Sequence, residues 1–276
     1  MYDIVWIESN NKRSRNGMIP ISIIIHAIGT TLAQAIDILK GLTKVVSAHY
    51  LVPQITGEQF IELYPEYALT LKYPSQVPVI AFVPEEETAF HAGISRWRNW
   101  NDMPGCDNSL NNCSIGIEFH SPGYAKGDDS DMFYFTSFTT AQMETGSKLV
   151  HNIRKRWHIN SFDVLAHSDI SFMRPDGSFK TDPGPLFPWN LLLGKNERLK
   201  NNNVDRNIIR NEVEWVQQKL YNIGYSCLKT GALDEYTRFC INAYRMRFMQ
   251  NNWQQFDGSI DQNLINSLHP YEQTNR

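Results

Sequence analysis

The sequence predicts an α/β domain built around one central sheet, followed by a small domain of three helices. As far as Trp189, apolar runs of strand length alternate with helical patterns, which is typical of a sheet flanked by helices. After Trp189 the composition changes to an asparagine-rich stretch, and only helical patterns follow it. We therefore expect a first domain over residues 1–190, a linker over 191–209 and a helical domain over 210–276.

Five segments of the first domain are predicted to be strands because they are short, apolar and mostly rich in β-branched residues. The first ends at His26, and the last leads directly into His167. The fourth contains an acidic residue, Glu118, among apolar neighbours. In chain order the predicted strands are 21–26, 45–52, 77–83, 113–119 and 164–166.

The predicted helices begin at residues that can cap a helix N-terminus. Thr30 or Thr31 precedes a helix that runs to about Gly41, and a longer helix runs from Thr139 to about His158. The segment 57–69 is ambiguous, since Pro65 argues against one continuous helix. In the C-terminal part, a weak repeat places a glycine turn before Asp234 and again before Asp261, and each aspartate can cap the next helix.

The overall composition is that of a globular protein with a substantial core, at 42% hydrophobic and 20% charged residues. A formal net charge of −3 gives no basic excess, so no nucleic-acid partner is indicated. No window of about 18 consecutive apolar residues is present, which predicts no transmembrane segment. The N-terminus lacks the basic and apolar regions of a signal peptide, and this leaves a cytoplasmic location possible.

The four cysteines form no Cys-x-x-Cys pair, which argues against a structural zinc knuckle. Cys106 and Cys113 flank a polar loop and would be able to pair in an oxidising compartment. Free, buried thiols are the favoured alternative.

Three residues, His26, His167 and Asp182, are candidates for a shared metal site. Both histidines lie at strand ends, and Asp182 is followed by the stiff sequence Pro-Gly-Pro. Two imidazoles and one carboxylate form a catalytic type of zinc shell that leaves one position open for water. These residues lie too far apart in the sequence to form a recognisable metal-binding motif by their spacing. A lone histidine more often has a structural role.

Glu118 and Lys180 are the charged residues of greatest interest near these candidates. A carboxylate inside an apolar strand is costly without a partner, although a solvent-facing strand position would also explain it. Lys180 precedes Asp182 by two residues, so both side chains lie on one side if the segment is extended. A surface lysine is the alternative for Lys180.

Further residues are candidates for the walls of a cleft. His91 follows a strand, whereas His49 lies within one and is better explained by packing. Trp97 and Trp100 belong to a long polar loop, 95–113, and loops of that length are often functional. The tryptophans either line a groove or pack the loop onto the domain, and the sequence leaves both interpretations open.

An ordered set of motifs resembles the type 2 zinc-dependent N-acetylmuramoyl-L-alanine amidases, which cut bacterial peptidoglycan. Each motif is weak alone, but the set follows the family's order over roughly residues 5 to 190 and is specific as a whole. The motifs are Ile25-His26-Ala, Ser47-Ala-His-Tyr, His91-Ala-Gly, Ser114-Ile-Gly-Ile-Glu118, His167-Ser-Asp-Ile and Lys180-Thr-Asp182-Pro-Gly-Pro.

The resemblance implies a mixed central sheet flanked by helices and a function for each matching residue. It implies that His26, His167 and Asp182 hold Zn²⁺, that Glu118 is the general base, and that Lys180 assists at the developing oxyanion. An aspartate as third ligand is similar to the bacterial branch that also trims anhydro-muropeptides. As substrate-binding residues we expect His49, His91, Trp97 and Trp100.

The C-terminal repeat resembles, more loosely, the helical peptidoglycan-binding module that is often fused to such enzymes. The combination implies a monomeric enzyme of the bacterial cell envelope or periplasm that takes peptidoglycan or muropeptides as substrate. The bond expected to break joins N-acetylmuramic acid, or its anhydro form, to L-alanine of the stem peptide.

Two other functions compete with the amidase. One is a non-catalytic peptidoglycan-recognition protein, against which the intact His/His/Asp set and Lys180 argue. The other is a zinc peptidase that cuts within the stem peptide. Zinc stoichiometry separates the first alternative from the amidase, and the masses of the products separate the second.

Overall fold

A computed structural model describes residues 1–122, 124–126, 133–135, 138–194, 204–250 and 256–268. Six strands form one mixed sheet: β1 (Ile4–Trp6), β3 (Ser22–Ile28), β4 (Tyr50–Val52), β5 (Val79–Ala81), β7 (Ser114–His120) and β10 (Val164–Ala166). Their order in the sheet is β1-β5-β4-β7-β3-β10. Neighbours run parallel except for the antiparallel pair β4 and β5.

Four short strands form two further antiparallel pairs, separate from the main sheet. One consists of β2 (Lys12–Ser14) and β6 (Glu87–Ala89), and the other of β8 (Tyr124–Lys126) and β9 (Phe133–Phe135). The described helices of the first 194 residues are α1 (Leu32–Leu39), α2 (Gly57–Leu63), α3 (Thr140–Trp157), α4 (His167–Ile170) and α5 (Trp189–Leu193). The C-terminal part contributes α6 (Glu212–Ile223), α7 (Glu235–Phe248) and α8 (Gln262–Leu268). The mixed sheet flanked by helices and the three C-terminal helices confirm the predicted fold class.

Helix ends follow the capping residues of the sequence. Thr31 accepts a hydrogen bond from the backbone of Gln34 at the start of α1, and Thr139 caps α3 in the same way. The helix α3 ends at Trp157 and is capped by His158, which adopts a left-handed conformation with φ of 56°. Asp234 caps α7 through the backbone N–H of Thr237, as the repeat predicts.

Strand β3 separates the two faces of the sheet. Ile23 and Ile25 pack with Ile117 and with Met143 and Val150 of α3 on one face. The alternate residues Ile24 and His26 therefore lie on the opposite face. Helix α3 covers the first face, so the polar candidates of β3 and β7 are directed to the other one.

The C-terminal helices share a hydrophobic core with the first part of the chain. Ile24 of β3 and Leu165 of β10 belong to one buried cluster with Leu220 of α6 and Tyr244 of α7. The predicted linker lies partly outside the described residues, since 195–203 are among those not described. The domain boundaries stay a prediction, while the described helices pack closely against the sheet. None of the helices in the described ranges is long and apolar enough to span a membrane.

Candidate metal centre

The pairing of β3 with β7 brings His26 beside Glu118. The two strands are parallel, and the Cα atoms of His26 and Glu118 are direct partners in the register. Side chains at paired positions lie on the same face of a sheet. His26 and Glu118 therefore share the face that is opposite to α3.

His167 and Asp182 reach the same place from one continuous segment. His167 follows β10 directly and opens the short helix α4. The backbone N–H of Ser168 donates to the carbonyl oxygen of Asp182 at 3.0 Å, so the two ends of the segment are joined next to the candidate ligands. Since β10 pairs with β3, this segment starts beside the strand that carries His26.

The three candidate ligand atoms form a nearly equilateral triangle. The Nδ1 atoms of His26 and His167 are 3.0 Å apart, and the Oδ2 atom of Asp182 is 3.3 Å from the first and 3.1 Å from the second. Both histidines are buried, and the side chain of Asp182 is 14% exposed. Residues far apart in the sequence thus present three ligand atoms to one point.

The other nitrogen of each imidazole contacts a protein group. His167 Nε2 lies 3.2 Å from the carbonyl oxygen of Ala92, an acceptor, and so carries the proton. His26 Nε2 lies 3.0 Å from His91 Nδ1, and His91 Nε2 lies 3.2 Å from the hydroxyl of Ser114. Ser114 donates to the carbonyl oxygen of Leu110 at 2.7 Å. Every group is satisfied if His26 Nε2 donates to His91 Nδ1, His91 Nε2 donates to the Ser114 hydroxyl, and this hydroxyl donates to the Leu110 carbonyl oxygen.

These hydrogen bonds leave the inner Nδ1 atoms as lone-pair donors, which fits a metal cation. Burial lowers the pKa of His26 to about 4, helped by the neighbouring His167, so its imidazole is neutral near pH 7. Burial acts to raise the pKa of Asp182, but His167 and His26 hold it well below its usual range. Ligands about 2.0 to 2.1 Å from a tetrahedral zinc ion lie about 3.3 Å apart, close to the observed separations.

Glu118 is half-buried and adds a carboxyl group with unsatisfied hydrogen-bonding capacity. Its Oε2 atom has no hydrogen-bond partner among the described residues. Burial, together with the charge of Asp182, raises the pKa of Glu118 to about 8, although Lys180 acts to lower it. A carboxyl group that titrates near neutral pH is suited to taking up and returning a proton.

Lys180 is close enough for its charge to act on the site. It contributes to the low pKa of His26 and opposes the raised pKa of Glu118. Its backbone N–H donates to the hydroxyl of Ser171 at 2.8 Å, which holds the returning segment. The side chain is exposed, so the ammonium group is accessible to a ligand.

The four residues expected to bind substrate, His49, His91, Trp97 and Trp100, are all buried. His91 lies behind His26, and His49 is fully buried behind His91, with ring centroids 5.7 Å apart. The Nδ1 atom of His49 accepts from the backbone of Gly116, and its Nε2 atom lies 3.1 Å from the carbonyl oxygen of Glu87. Both ring nitrogens of His49 are therefore committed to the protein.

Trp97 and Trp100 are buried, with 1% and 8% exposure. Trp97 packs against Tyr225 of the C-terminal part, with ring centroids 5.1 Å apart. Of the two interpretations that the sequence left open, packing describes both tryptophans. All four cysteines are buried free thiols, in line with the favoured alternative.

Two contributors to the site were missed in the sequence. Ser114 orients His91, and Gly116 makes room for it, since a Cβ atom at Gly116 would lie 2.4 Å from Cγ of His91. The signal for Gly116 was present, because a glycine inside a strand often marks a close approach. Ser114 carried no comparable signal.

Comparison with known proteins connects this geometry to a family. Residues 16–185 match the family model described as N-acetylmuramoyl-L-alanine amidase. The chain is 38% identical over 149 residues to N-acetylmuramoyl-L-alanine amidase AmiD of Escherichia coli, a match covering 54% of this chain and 44% of that protein. It is 32% identical over 111 residues to 1,6-anhydro-N-acetylmuramyl-L-alanine amidase AmpD of Enterobacter cloacae, a match covering 40% of this chain and 47% of that protein. These matches thus span less than half the length of either relative.

A solved structure extends the similarity to the C-terminal part. The structure of E. coli AmiD in complex with the substrate anhydro-N-acetylmuramic acid-L-Ala-D-gamma-Glu-L-Lys is similar with a TM-score of 0.66 and 27% identity. The similarity covers 95% of this chain and 91% of that one. The helices after residue 203 are therefore included in the shared fold.

Proposed function

Because the chain belongs to the N-acetylmuramoyl-L-alanine amidase family, we propose that it is a zinc hydrolase acting on bacterial peptidoglycan fragments. The bond cleaved joins the lactyl carbonyl of N-acetylmuramic acid, or its anhydro form, to the amine of L-alanine in the stem peptide. This substrate class is supported by the similarity to AmpD, a 1,6-anhydro-N-acetylmuramyl-L-alanine amidase, and to AmiD, which is solved in complex with an anhydro-muropeptide. Its place of action is the cell envelope, where peptidoglycan lies.

The observation that carries the proposal is the triangle of ligand atoms. His26 Nδ1, His167 Nδ1 and Asp182 Oδ2 would hold the zinc ion. When bound there, zinc would make water a nucleophile near neutral pH and polarise the carbonyl group to be attacked. A shell of three protein ligands leaves room for water and substrate.

Glu118 and Lys180 supply the proton transfer and part of the charge stabilisation. Glu118 takes the proton of the attacking water and later passes it to the nitrogen of the leaving amine. The water oxygen bonds to the carbonyl carbon, the C–N bond breaks, and the products are a lactyl carboxylate and the free amine of the peptide. Lys180 places a cation beside the carbonyl oxygen, where negative charge develops.

The remaining site residues keep the ligands in place. His91 and Ser114 hold His26 in the tautomer that presents Nδ1, and the Ala92 carbonyl does the same for His167. Fixed imidazoles lose no further freedom when the metal binds. This arrangement matches the way in which ligand histidines are oriented in other metal sites.

The experiment is digestion of a defined muropeptide by the zinc-loaded protein, followed by mass spectrometry. The proposal predicts an intact stem peptide and a free amino sugar, with both products formed far more slowly by Glu118→Gln. Shortened peptides would show a peptidase instead. Binding of the muropeptide without cleavage, by a protein that holds no stoichiometric zinc, would show a recognition protein.

A further inference from the structure

The segment that carries two of the three proposed metal ligands is held from outside by the C-terminal helices. We propose that Tyr225 and Arg247 are positioning residues for the metal centre and that they act through Asp169; this inference rests on the proposed function. The helical part would then complete the active site, in addition to any contact with the cell wall. The resemblance to a peptidoglycan-binding module does not by itself imply such a role.

Asp169 joins the ligand segment to the helices. It lies two residues after His167 and is 3% exposed. Its Oδ2 atom accepts a hydrogen bond from the backbone N–H of Ala166 at 2.8 Å and so closes the turn in which His167 lies. Its Oδ1 atom accepts the hydroxyl proton of Tyr225 at 2.6 Å. The side chain of one buried aspartate thus fixes the backbone at His167 and is itself fixed from the C-terminal part.

Arg247 of α7 reinforces the same turn from a second direction. Its Nη2 atom donates to the carbonyl oxygen of Val164 at 2.7 Å, at the start of β10. Its Nε atom lies 4.0 Å from Asp169 Oδ2, and its guanidinium carbon lies 3.2 Å from the ring centroid of Trp189. A buried charged contact of this kind constrains both partners because neither can be solvated when separated from the other.

The other end of the segment is anchored in the same way. Phe179 directly precedes Lys180 and stacks on Phe239 of α7, with ring centroids 4.2 Å apart and an interplanar angle of 11°. Gln250 donates to the carbonyl oxygens of Pro185 and Phe187, shortly after Asp182. The strand before His167, the residue before Lys180 and the chain after Asp182 therefore all contact the C-terminal part.

These contacts determine how well the triangle is preorganised. His167 Nδ1 lies 3.1 Å from Asp182 Oδ2 although 15 residues separate them, so a small rotation of the turn would displace one ligand from the other. Groups that orient metal ligands typically contribute about 10- to 100-fold to metal affinity or activity. A helical part that only bound the cell wall would affect binding to insoluble wall and leave zinc affinity unchanged.

The test compares Tyr225→Phe and Arg247→Gln in the full-length chain with the matched controls Tyr244→Phe and Arg245→Gln. The hydroxyl of Tyr244 contacts Ser267, and Arg245 contacts Asp261, so both controls lose buried polar contacts within the C-terminal part. Zinc affinity is measured by chelator competition. The kinetic constants kcat and KM are measured with a soluble muropeptide as substrate, and the free energy of unfolding is measured in urea.

We expect Tyr225→Phe and Arg247→Gln to weaken zinc affinity and lower kcat by about 10- to 100-fold, with KM nearly unchanged. The controls are expected to lose stability to a similar extent but to stay within about twofold of wild type in zinc affinity. Because Tyr225→Phe removes one oxygen atom and keeps the ring, it tests the inference even if Arg247→Gln does not fold.

Zinc affinities within twofold of wild type in Tyr225→Phe, or equal losses in Tyr244→Phe, would overturn the inference while leaving the proposed function intact. A wild-type protein that binds zinc but cleaves no muropeptide would contradict the proposed function, and the zinc affinities would still decide the positioning role. A wild-type protein that binds no zinc would overturn both.

Discussion

The Nδ1 atoms of His26 and His167 lie 3.0 Å apart, although each ring uses its other nitrogen to contact a protein group. Imidazoles with these hydrogen bonds direct their inner Nδ1 atoms at each other and at the carboxylate of Asp182. Such an arrangement of acceptors is unfavourable unless a cation or a shared proton lies between them. The described geometry therefore fits a bound cation, with the three candidate ligand atoms already close together.

Removing one ligand should abolish tight zinc binding. We expect His26→Ala and Asp182→Ala to weaken zinc affinity by at least about 100-fold, because two remaining donors do not complete a zinc shell. Chelator competition measures the affinities. His151→Ala, on the exposed side of α3, is the control and should bind zinc like the wild type. Wild-type zinc affinity in both ligand variants would refute the assignment.

Glu118→Gln should separate catalysis from metal binding. The substitution keeps the size of the side chain but removes its capacity to accept a proton, so kcat should fall by about 10²- to 10⁴-fold. Zinc affinity should change little, since Glu118 is not a proposed ligand. Turnover assays on a muropeptide and a zinc titration check the two expectations. A variant that keeps the wild-type kcat with zinc bound would exclude Glu118 as the base.

The zinc-free protein should show a pH-dependent stability cost from Glu118. Its pKa is raised from 4.5 to about 8 in the folded state, so the folded state binds more protons than the unfolded state between these values. The free energy of unfolding therefore falls as pH rises through this window, by up to about 1.4 kcal/mol for each pH unit.

Urea unfolding of the chelator-treated wild type and Glu118→Gln at pH 5 and pH 8.5 measures this effect. The wild type should lose stability relative to the variant at the higher pH. His26 titrates in both proteins, so its contribution largely cancels in the comparison. A difference between the two proteins that does not change with pH would contradict the raised pKa.

Lys180→Ala should lower kcat more than it raises KM. A cation that assists at the developing oxyanion stabilises the transition state more than the bound substrate, and we expect a loss of about 10²-fold in kcat. Lys155→Ala, at an exposed position of α3, removes the same charge away from the site. If KM alone rises in Lys180→Ala, the lysine binds substrate without acting on the oxyanion.

Gly116→Ala should disturb the support of His26. A Cβ atom there would lie 2.4 Å from Cγ of His91, so the His91 ring would have to move away from His26. Overpacking of this kind typically costs about 1 to 3 kcal/mol, and we expect zinc affinity to fall by about 10- to 100-fold as well.

Gly146→Ala is the matched control for Gly116→Ala. Its Cβ atom would lie 2.5 Å from the ring of Phe119, within the α3 side of the core. We expect a comparable loss of stability, measured by urea unfolding, without a loss of zinc affinity. Equal zinc affinities in the two variants would show that His91 does not support the metal centre.

Much of the fold is predictable because the hydrophobic pattern and the capping residues of the sequence indicate the same strands and helices. Strand β3 was expected over 21–26 and is observed over Ser22–Ile28, and α3 begins after its predicted cap. The strand expected over 45–52 is shorter, at Tyr50–Val52, because Val45 and Val46 are exposed and Asn11 binds the Lys44 and Val46 carbonyls. The Asn11 side chain, distant in the sequence, binds these carbonyl oxygens in place of a neighbouring strand. Local strand propensity cannot predict such a contact.

The candidate site was predictable in its residues but not in its geometry. His26, His167 and Asp182 were nominated by strand ends and by resemblance, and the structure brings their ligand atoms together. The burial of Trp97 under Tyr225 depends on packing between distant parts of the chain. Contacts of that kind leave no periodic pattern in the sequence, so the sequence leaves open whether Trp97 lines a groove or packs the loop onto the domain.

Anomalous diffraction at the zinc edge from zinc-loaded crystals tests the central claim most directly. We expect one strong peak about 2.0 to 2.2 Å from His26 Nδ1, His167 Nδ1 and an oxygen of Asp182, with Glu118 outside the shell. A single coordination sphere thereby tests the three ligand assignments together. A peak held by other residues, with none at this site, would contradict the assignment of this site as the zinc centre of an amidase, as would crystals of the zinc-treated protein that show no zinc peak.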